Sequence, residues 1–340
     1  MILQANTSSS LCSPTKQRRS ESLSETPFDT AQLVEEVRRN EEAARKETVL
    51  YLAYGSNLSA ETFKGTRGIK PLSQVNVLVP ELDLTFDLPG IPYLEPCFAN
   101  TRYRTEHTLA ESKDYHKDRW HKGLVGVVYE VTKADYVTII ATEGGGSGYQ
   151  DIIVQCYEIP QGSKEVDPHP IAAPFKAHTL FAPALPPREP GTPPPSSGGR
   201  ISRPDPSYAQ PSARYLKLIT DGAEEHGLPN DYKAFLYQLR PYTITSARQR
   251  LGQFIFLSIW MPITLAMFAA SNIFVDDKGR LPKWMITVKS AVFEGVWVSY
   301  DNFFKKFLGD GERTQEGRDN EAWVEVPSEK SPLLRRIWGA

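Results

Sequence analysis

The stretch TVLYLAYGSNL, residues 48–58, decides how the rest of this chain is organised. Its first half is apolar and aromatic, uncharged and rich in strand formers, which predicts a buried central strand. Residues 55–57, Gly-Ser-Asn, then end the run with types that favour turns. A buried strand that stops at such a triplet leaves backbone N–H groups pointing out of the sheet end, where they can cradle a carboxylate or a developing oxyanion. On spacing alone, an ordinary strand-to-loop turn is the alternative interpretation.

Bulk properties limit the classes of protein to which the chain can belong. Its 340 residues are many for one domain, which predicts one globular unit with substantial additional segments. The formal net charge of −2 gives no reason to expect a nucleic-acid partner. The cysteines, Cys12, Cys97 and Cys156, are far apart, with no Cys-x-x-Cys and no histidine at metal-ligand spacing. We therefore expect neither a disulfide framework nor a zinc site, and a reduced, cytoplasmic environment.

The middle of the chain is predicted to be strands separated by turns. Runs rich in Val, Ile, Leu, Tyr and Phe predict strands at 75–79, 82–88, 99–103, 124–131, 152–159 and 175–181. Several strands with few helices indicate a small closed or strongly curved sheet. The predicted helices that accompany the sheet are at 133–142, 215–220 and 231–239.

Four segments, in the right order, resemble signatures of the γ-glutamylcyclotransferase family. YLAYGSNL (51–58) resembles the family's Tyr-x-Ala-Tyr-Gly-Ser-Asn loop, and LDLTF (82–86) resembles its following strand. GLVGVVYEV (123–131) resembles the family's glycine-containing strand and is followed by Glu143-Gly144. PSARY (211–215) resembles its Pro-Ser-x-x-Tyr segment. The resemblance implies an α+β fold, a small β-barrel with flanking helices, in a domain at 29–241, followed by a C-terminal helical extension.

The resemblance also implies a catalytic residue, because Glu143 matches the family's catalytic glutamate. Such a group takes a proton from the α-ammonium of a γ-glutamyl substrate, whose nitrogen then attacks the γ-carbonyl and closes the lactam 5-oxoproline. No metal or other cofactor is required for this reaction. Without the resemblance, a carboxylate beside a glycine run is an ordinary surface residue. Asp135, Asp151 and Glu130 are the competing carboxylates.

A substrate site is implied as well, since the family's loop holds the glutamyl end through its main chain. The substrate-binding candidates are Tyr54, Gly55, Ser56, Asn57, Leu58, Tyr149 and Tyr215. N–H groups of the loop would meet the charge on the tetrahedral oxygen. Tyr215 is equally well a buried structural tyrosine. The implied site requires Glu143 to converge with the loop in one pocket and to be partly buried.

The residues after Glu143 depart from the family pattern. Three consecutive glycines follow, and Tyr149 comes slightly early, so we expect a loop reshaped for a larger substrate. The long architecture resembles fungal cyclotransferase-like proteins of sulfur-containing secondary-metabolite pathways. This likeness implies glutathione, a glutathione adduct or another γ-glutamyl amino acid as the substrate. A non-catalytic, membrane-tethered binding protein on the same fold and a γ-glutamylamine cyclotransferase are the alternatives.

Several segments lie outside this pattern. Residues 1–28 are rich in Ser and Thr without apolar periodicity, which predicts disorder, with a transit peptide as the alternative. Asp29 and Thr30 indicate the N-cap of a helix at 31–46. Residues 183–206 form a proline-rich insertion, for which a polyproline-like loop or disorder is expected. The charged tail, 309–340, is also expected to be disordered.

Residues 242–308 predict an apolar and amphipathic helical extension. The segment 251–275 contains no charged residue, follows Arg248 and Arg250, and is long enough to span a bilayer. We predict membrane association through 251–275, with the basic side facing the cytosol. A packed soluble hairpin that covers the barrel is the alternative. Residues 284–308 predict an aromatic-rich helix that lies on a membrane surface or packs on the first helix.

Overall fold

The computed structural model describes residues 11–104, 120–143, 149–183, 203, 205, 207–274 and 282–315. Its strands are β1 (Thr48–Ala53), β2 (Ser73–Val79), β3 (Leu82–Ile91), β4 (Glu95–Tyr103), β5 (Leu124–Thr132), β6 (Gln150–Glu158) and β7 (Phe175–Phe181). Five of them form a ring in the order β1-β5-β2-β6-β7, and β7 pairs back in parallel with β1 at Tyr51 and His178. β3 and β4 form a separate antiparallel pair. The small β-barrel of an α+β fold is confirmed.

Burial explains why β1 and β5 are the most apolar strands. They pair antiparallel from Thr48 opposite Thr132 to Ala53 opposite Val127, and nearly every residue in both is buried. A strand that is covered on both faces needs no polar alternation. β3, in contrast, alternates buried and half-buried residues because only one of its faces is covered. At Gly126, a Cβ would lie 2.4 Å from the Ala53 carbonyl oxygen, so the close approach of β5 to β1 requires glycine.

Helices flank the ring and extend beyond it. They are α1 (Lys16–Ser22), α2 (Thr30–Arg39), α3 (Glu41–Ala44), α4 (Lys133–Thr142), α5 (Ala213–Glu225), α6 (Asn230–Gln238), α7 (Ala247–Phe274), α8 (Lys283–Ser299) and α9 (Lys305–Leu308). α4 has the predicted bounds, and Asp29 caps α2 as predicted. The single helix predicted at 31–46 is wrong. Asn40 leaves the helical conformation, and its side chain accepts a hydrogen bond from the Ala43 N–H at 3.2 Å, which starts α3 with a cap of its own.

The prediction of disorder for residues 1–28 is wrong from residue 11 onward; residues 1–10 lie outside the described part. Arg18 of α1 donates to the Thr48 side chain at 2.9 Å and to the Thr48 carbonyl at 3.0 Å. The Phe28 N–H donates to Asp151 at 2.6 Å. Polar contacts therefore attach this segment to β1 and β6. Such contacts produce no apolar periodicity, which is why the sequence pattern does not reveal them.

The C-terminal extension is an antiparallel helical hairpin of α7 and α8. The Trp260 indole donates to Ser299 at 3.0 Å near the base, and the rings of Phe274 and Trp284 lie 5.2 Å apart near the tip. The start of α7 contacts Tyr93, which lies at the turn between β3 and β4. The Gln253 side-chain amide donates a hydrogen bond to the Tyr93 carbonyl oxygen at 2.8 Å. A π-helical turn, Tyr300–Phe304, then leads from α8 into α9.

Part of the predicted disordered tail is also folded. Asp310 and Glu312 are buried, and Asp310 accepts a hydrogen bond from the Tyr300 hydroxyl at 3.0 Å. Arg203 binds both Glu312 and Asp301, at 2.8 and 2.7 Å, and so joins the end of the proline-rich insertion to the base of the hairpin. The disorder prediction is therefore wrong for 310–315. Residues 184–202, 204, 206 and 316–340 lie outside the described part.

Candidate active site

The site begins where β1 ends. After Tyr54 and Gly55 the chain forms a 3₁₀ turn, Ser56–Leu58, whose residues are all buried. The turn uses the N–H groups of Leu58 and Ser59 in its own hydrogen bonds, at 3.0 and 3.1 Å. The N–H groups of the first residues of such a turn have no partner within it. The predicted strand and turn are therefore in place; of the predicted backbone donors, the N–H of Leu58 is used within the turn, and those of Ser56 and Asn57 have no partner inside it.

Glu143 converges with this turn, as the implied site requires. It is the residue directly after α4, and its Oε1 accepts hydrogen bonds from Asn57 Nδ2 at 2.6 Å and from Arg67 Nη2 at 2.9 Å. Asn57 Nδ2 also donates to the Tyr51 hydroxyl at 2.8 Å. The side chain of Glu143 is 19 % exposed, which is the partial burial that was expected. β1 and α4 thus bring a carboxylate to the loop from a distant part of the chain.

Arg67 is the main member of the site that the sequence does not reveal. Its side chain is 2 % exposed, and it donates to Thr142 at the end of α4 as well as to Glu143. The π-helical turn Glu61–Thr66 directly precedes it. Turns of this kind are rare and often lie at functional sites. No motif marks Arg67, so only a rule that searches for a cation near the implied carboxylate could have found it.

The predicted tyrosines lie around the same carboxylate. Burial raises the pKa of Tyr51, Tyr54 and Tyr215, and the charge of Glu143 contributes in each case. The Tyr54 hydroxyl donates to the Leu180 carbonyl at 2.9 Å, and the Tyr215 hydroxyl accepts from the Ala99 N–H at 3.1 Å. These two hydroxyls already have partners in the fold. Because a Cβ on Gly55 would lie 3.3 Å from the Tyr215 hydroxyl, Tyr215 forms a wall beside the loop.

Tyr149 lies near this group and is half-buried, just before β6. Electrostatic repulsion from Tyr149 contributes to the raised pKa of Tyr51, Tyr54 and Tyr215, behind burial in each case. The structure therefore brings the predicted loop, Glu143 and the predicted tyrosines together. Residues 144–148, on which the prediction of a reshaped loop rests, lie outside the described part.

His226 supports the loop from behind. Its Nε2 lies 3.0 Å from the Leu58 carbonyl oxygen and 2.7 Å from the Tyr129 hydroxyl. Burial lowers the pKa of His226 to about 4, against the effect of the hydrogen bond to Leu58, so the ring is neutral near pH 7. Nearby, Gly222 of α5 packs so closely that a Cβ would lie 2.5 Å from the Leu58 carbonyl carbon.

The competing carboxylates have structural partners. Asp151 accepts hydrogen bonds from Tyr136 and from the Phe28 N–H, both at 2.6 Å, and Glu130 accepts one from Ser73 at 2.7 Å. Asp135 lies in the first turn of α4, where its backbone N–H is capped by Thr132. Within the described residues, no group of three or more His, Cys, Asp and Glu side chains is arranged to hold a metal ion.

Comparison with known proteins agrees with this geometry. The chain is 31 % identical over 279 residues to "Gamma-glutamyl cyclotransferase aclK" of Aspergillus oryzae, a match that covers 80 % of this chain and 92 % of the relative. The chain belongs to the γ-glutamyl cyclotransferase family. A second member of this family, gliK of Aspergillus fumigatus, is 30 % identical over 267 residues, which cover 78 % of this chain and 89 % of gliK.

Two further matches cover parts of this cyclotransferase family member. "Gamma-glutamyl cyclotransferase verK" of Clonostachys rogersoniana is 36 % identical over 145 residues, 42 % of this chain and 77 % of verK. The AclK C-terminal domain matches residues 246–307, which are the helical hairpin and α9. The resemblance that the motifs indicated is confirmed, and the hairpin is a recognised domain in its own right.

Proposed function

We propose that this protein is an active γ-glutamylcyclotransferase that releases 5-oxoproline from a γ-glutamyl compound. The observation that carries the proposal is the convergence of Glu143 with the 3₁₀ turn at the end of β1. A cyclisation needs a base near the α-nitrogen and donors near the γ-carbonyl oxygen, and these are the two components that meet here.

Glu143 is the proposed general base. Both of its hydrogen bonds from described residues fall on Oε1, from Asn57 and Arg67. Oε2 then takes a proton from the α-ammonium group of the substrate. Because Oε1 is held by two donors, the carboxylate keeps its orientation while Oε2 changes protonation state.

The cyclisation follows in one site. The freed nitrogen attacks the γ-carbonyl carbon and forms the lactam C–N bond, and the resulting oxyanion is met by the N–H groups of Ser56 and Asn57. The original C–N bond breaks as Glu143 returns its proton to the leaving amine, and the ring nitrogen then gives its surplus proton to the freed Glu143 carboxylate, so that the neutral lactam and the amine are released. The reaction is intramolecular, so holding the glutamyl chain curled supplies much of the rate.

The proposed substrate class is glutathione or a glutathione-derived adduct. The support is the glycine run that follows Glu143, since residues without side chains leave room for a bulky group on the leaving amine. The relatives named γ-glutamyl cyclotransferases support the reaction type rather than this finer choice.

The test is 5-oxoproline release by the wild type and by Glu143→Gln. The substrates are γ-glutamyl-alanine, glutathione, a glutathione S-conjugate and a γ-glutamylamine. Gln keeps an oxygen for Asn57 and Arg67 but cannot take a proton, so we expect kcat to fall about 10²- to 10⁴-fold. Glu130→Gln, a carboxylate bound to Ser73, is the matched control and should retain full activity.

The pattern of turnover distinguishes the alternatives. Preference for the γ-glutamylamine would assign the sister activity. Absence of release from every substrate by folded wild type would support the non-catalytic binding protein, and full activity of Glu143→Gln would contradict the proposed role of Glu143.

A further inference from the structure

From Leu251 onward, the outward face of α7 is largely apolar among the side chains that the structure describes. Its exposed large side chains are Leu251, Phe254, Ile259, Ile263, Ile273 and Phe274, each between 41 % and 76 % exposed. A helix on the surface of a water-soluble domain normally turns charged and polar residues outward. Apolar surface of this extent marks a site that binds a partner.

The length of α7 fits one kind of partner. Ala247–Ala270 is long and apolar enough to cross a membrane by length and composition, and 17 % of an apolar 18-residue window within it is buried. The core helix of a soluble protein passes the same test of length and composition, but it is mostly buried. At about 1.5 Å per residue these residues extend for roughly 36 Å, close to the ~30 Å hydrocarbon thickness of a bilayer.

Positive charge collects at one end of this face. Arg248 and Arg250 are exposed at the start of α7, and Lys306 is exposed on α9 beside them. The Arg248 side chain donates to the Phe307 carbonyl, which fixes the two helices together at this end. Basic groups next to an apolar face match the phosphate layer of an anionic membrane.

An open groove of about 480 Å³ lies at the same end. Arg250, Leu251, Phe254 and Ser246 are among the residues that line it. A guanidinium beside apolar walls suits a phospholipid, in which a phosphate adjoins the start of the acyl chains.

The charges of α8 define which side of the hairpin meets the lipid. Between Trp284 and Ser299, α8 contains Lys289 and Glu294. The ammonium of Lys289 lies 5.5 Å from the centroid of the Phe268 ring on α7, and Glu294 is exposed on α8. The exposed face of α7 contains no charge between Leu251 and Phe274. The lipid-facing side is therefore that of α7.

We propose that α7 inserts lengthwise into a lipid bilayer, with its outward face against the acyl chains and with Arg248, Arg250 and Lys306 at the level of the phosphate groups. The hairpin then attaches the barrel domain to a membrane surface. The proposal is independent of the cyclotransferase reaction, because it concerns a different face and requires no turnover.

Flotation of the full chain on vesicles tests the proposal. The vesicles contain phosphatidylcholine alone or with phosphatidylserine. The wild type should float with both, and more strongly with phosphatidylserine. Ile259→Glu/Ile263→Glu places two charges on the embedded face and should reduce the floated fraction roughly tenfold or more. Ile171→Glu is the matched control, because Ile171 is 96 % exposed in the loop between β6 and β7. This variant should float like the wild type.

A second variant tests the basic groups. Arg248→Gln/Arg250→Gln/Lys306→Gln should lose the preference for phosphatidylserine while it still floats on phosphatidylcholine. Circular dichroism confirms that each variant is folded. Wild type that stays at the bottom with both vesicles, or Ile259→Glu/Ile263→Glu that floats like the wild type, would overturn the proposal. A wild type that does not float but has the mass of two copies by light scattering would assign the face to a second copy instead.

Discussion

Two carboxylate clusters at the five-stranded barrel, one around Glu143 and one around Asp151, differ in their access to solvent. Glu143, bound by Arg67, is 19 % exposed, whereas neither Asp151 nor its partner His178 has an exposed side chain. The two clusters are close together, because Tyr51 pairs with His178 between β1 and β7 and its hydroxyl also contacts the site. A general base must reach its substrate. The difference in exposure therefore favours the first cluster as the site of the proposed chemistry and a structural role for the second.

The buried cluster holds the N-terminal segment against the ring. His178 contacts Asp151 at 2.8 Å and Glu25 at 3.3 Å, and the ring of Phe28 stacks on it at 4.4 Å. Burial by itself would lower the pKa of His178, but its hydrogen bonds to Asp151 and Glu25 raise that pKa overall. A segment without apolar periodicity is thus attached by paired charges, which shows that a carboxylate beside a histidine can be structural.

Asp151→Asn tests the structural role of the buried cluster and has the largest expected effect on stability. Removing one partner of a buried charge pair costs about 3–5 kcal/mol. Because Glu25 still lies 3.3 Å from His178 and compensates part of its charge, we expect the lower end of that range here. We expect the free energy of unfolding to fall by that amount in urea titrations, while kcat per folded molecule stays unchanged.

Asp167→Asn is the matched control for this variant. Asp167 is exposed and accepts a hydrogen bond from the His169 N–H at 2.9 Å, so its substitution should change stability by under about 0.5 kcal/mol. A loss of kcat in folded Asp151→Asn would place Asp151 in the chemistry and contradict the assignment.

The pH dependence of stability adds to the comparison, since the half-buried His226 and the buried His178 respond in opposite directions. The folded-state pKa of His226 is about 4, below its ordinary 6.5, so the unfolded chain binds the proton first as pH falls. His226 should therefore cost about 3 kcal/mol of stability between pH 6.5 and 4. The raised pKa of His178 acts the other way: its stabilisation is present below pH 6.5 and is lost as pH rises through its folded-state pKa.

Urea unfolding of His226→Gln from pH 7 to 4 checks this account. Glutamine can still donate to the Leu58 carbonyl but does not titrate, so the stability difference from the wild type should shift in favour of the variant as pH falls. An identical acid profile for the two proteins would contradict the burial argument for His226.

Arg67→Lys tests the proposed catalytic cluster around Glu143 and has the smallest expected effect. Lysine keeps the charge but cannot hold Thr142 and Glu143 together as the guanidinium does. If Arg67 positions Glu143, its replacement by lysine should lower kcat roughly 10- to 100-fold and leave KM little changed. Lys64→Gln, exposed in the preceding π-helical turn, is the control. A rise in KM at constant kcat would instead assign Arg67 to substrate binding.

Much of the fold could be predicted because its signals are local. Apolar runs predict six of the seven described strands, the prediction at 99–103 covers only the second half of β4, and α4 has the predicted bounds at Lys133–Thr142. The strand that ends in Gly-Ser-Asn is recognisable without any distant contact. The barrel and the candidate Glu143 are implied by the family resemblance of this motif and the other three. The errors were also informative: Asn40 divides a predicted helix because its side chain caps α3, a competition that helix periodicity does not record.

The sequence by itself determined the strands and the turn at 56–58, and it supplied Glu143 as the candidate carboxylate. Only the tertiary structure decided which cation meets that carboxylate, that residues 11–28 lie on the ring, and that Asp310 and Glu312 are buried. The physical reason is that apolar periodicity reports which face of an element is covered. A polar contact such as that between Arg67 and Glu143, 76 residues apart, depends on the path of the whole chain.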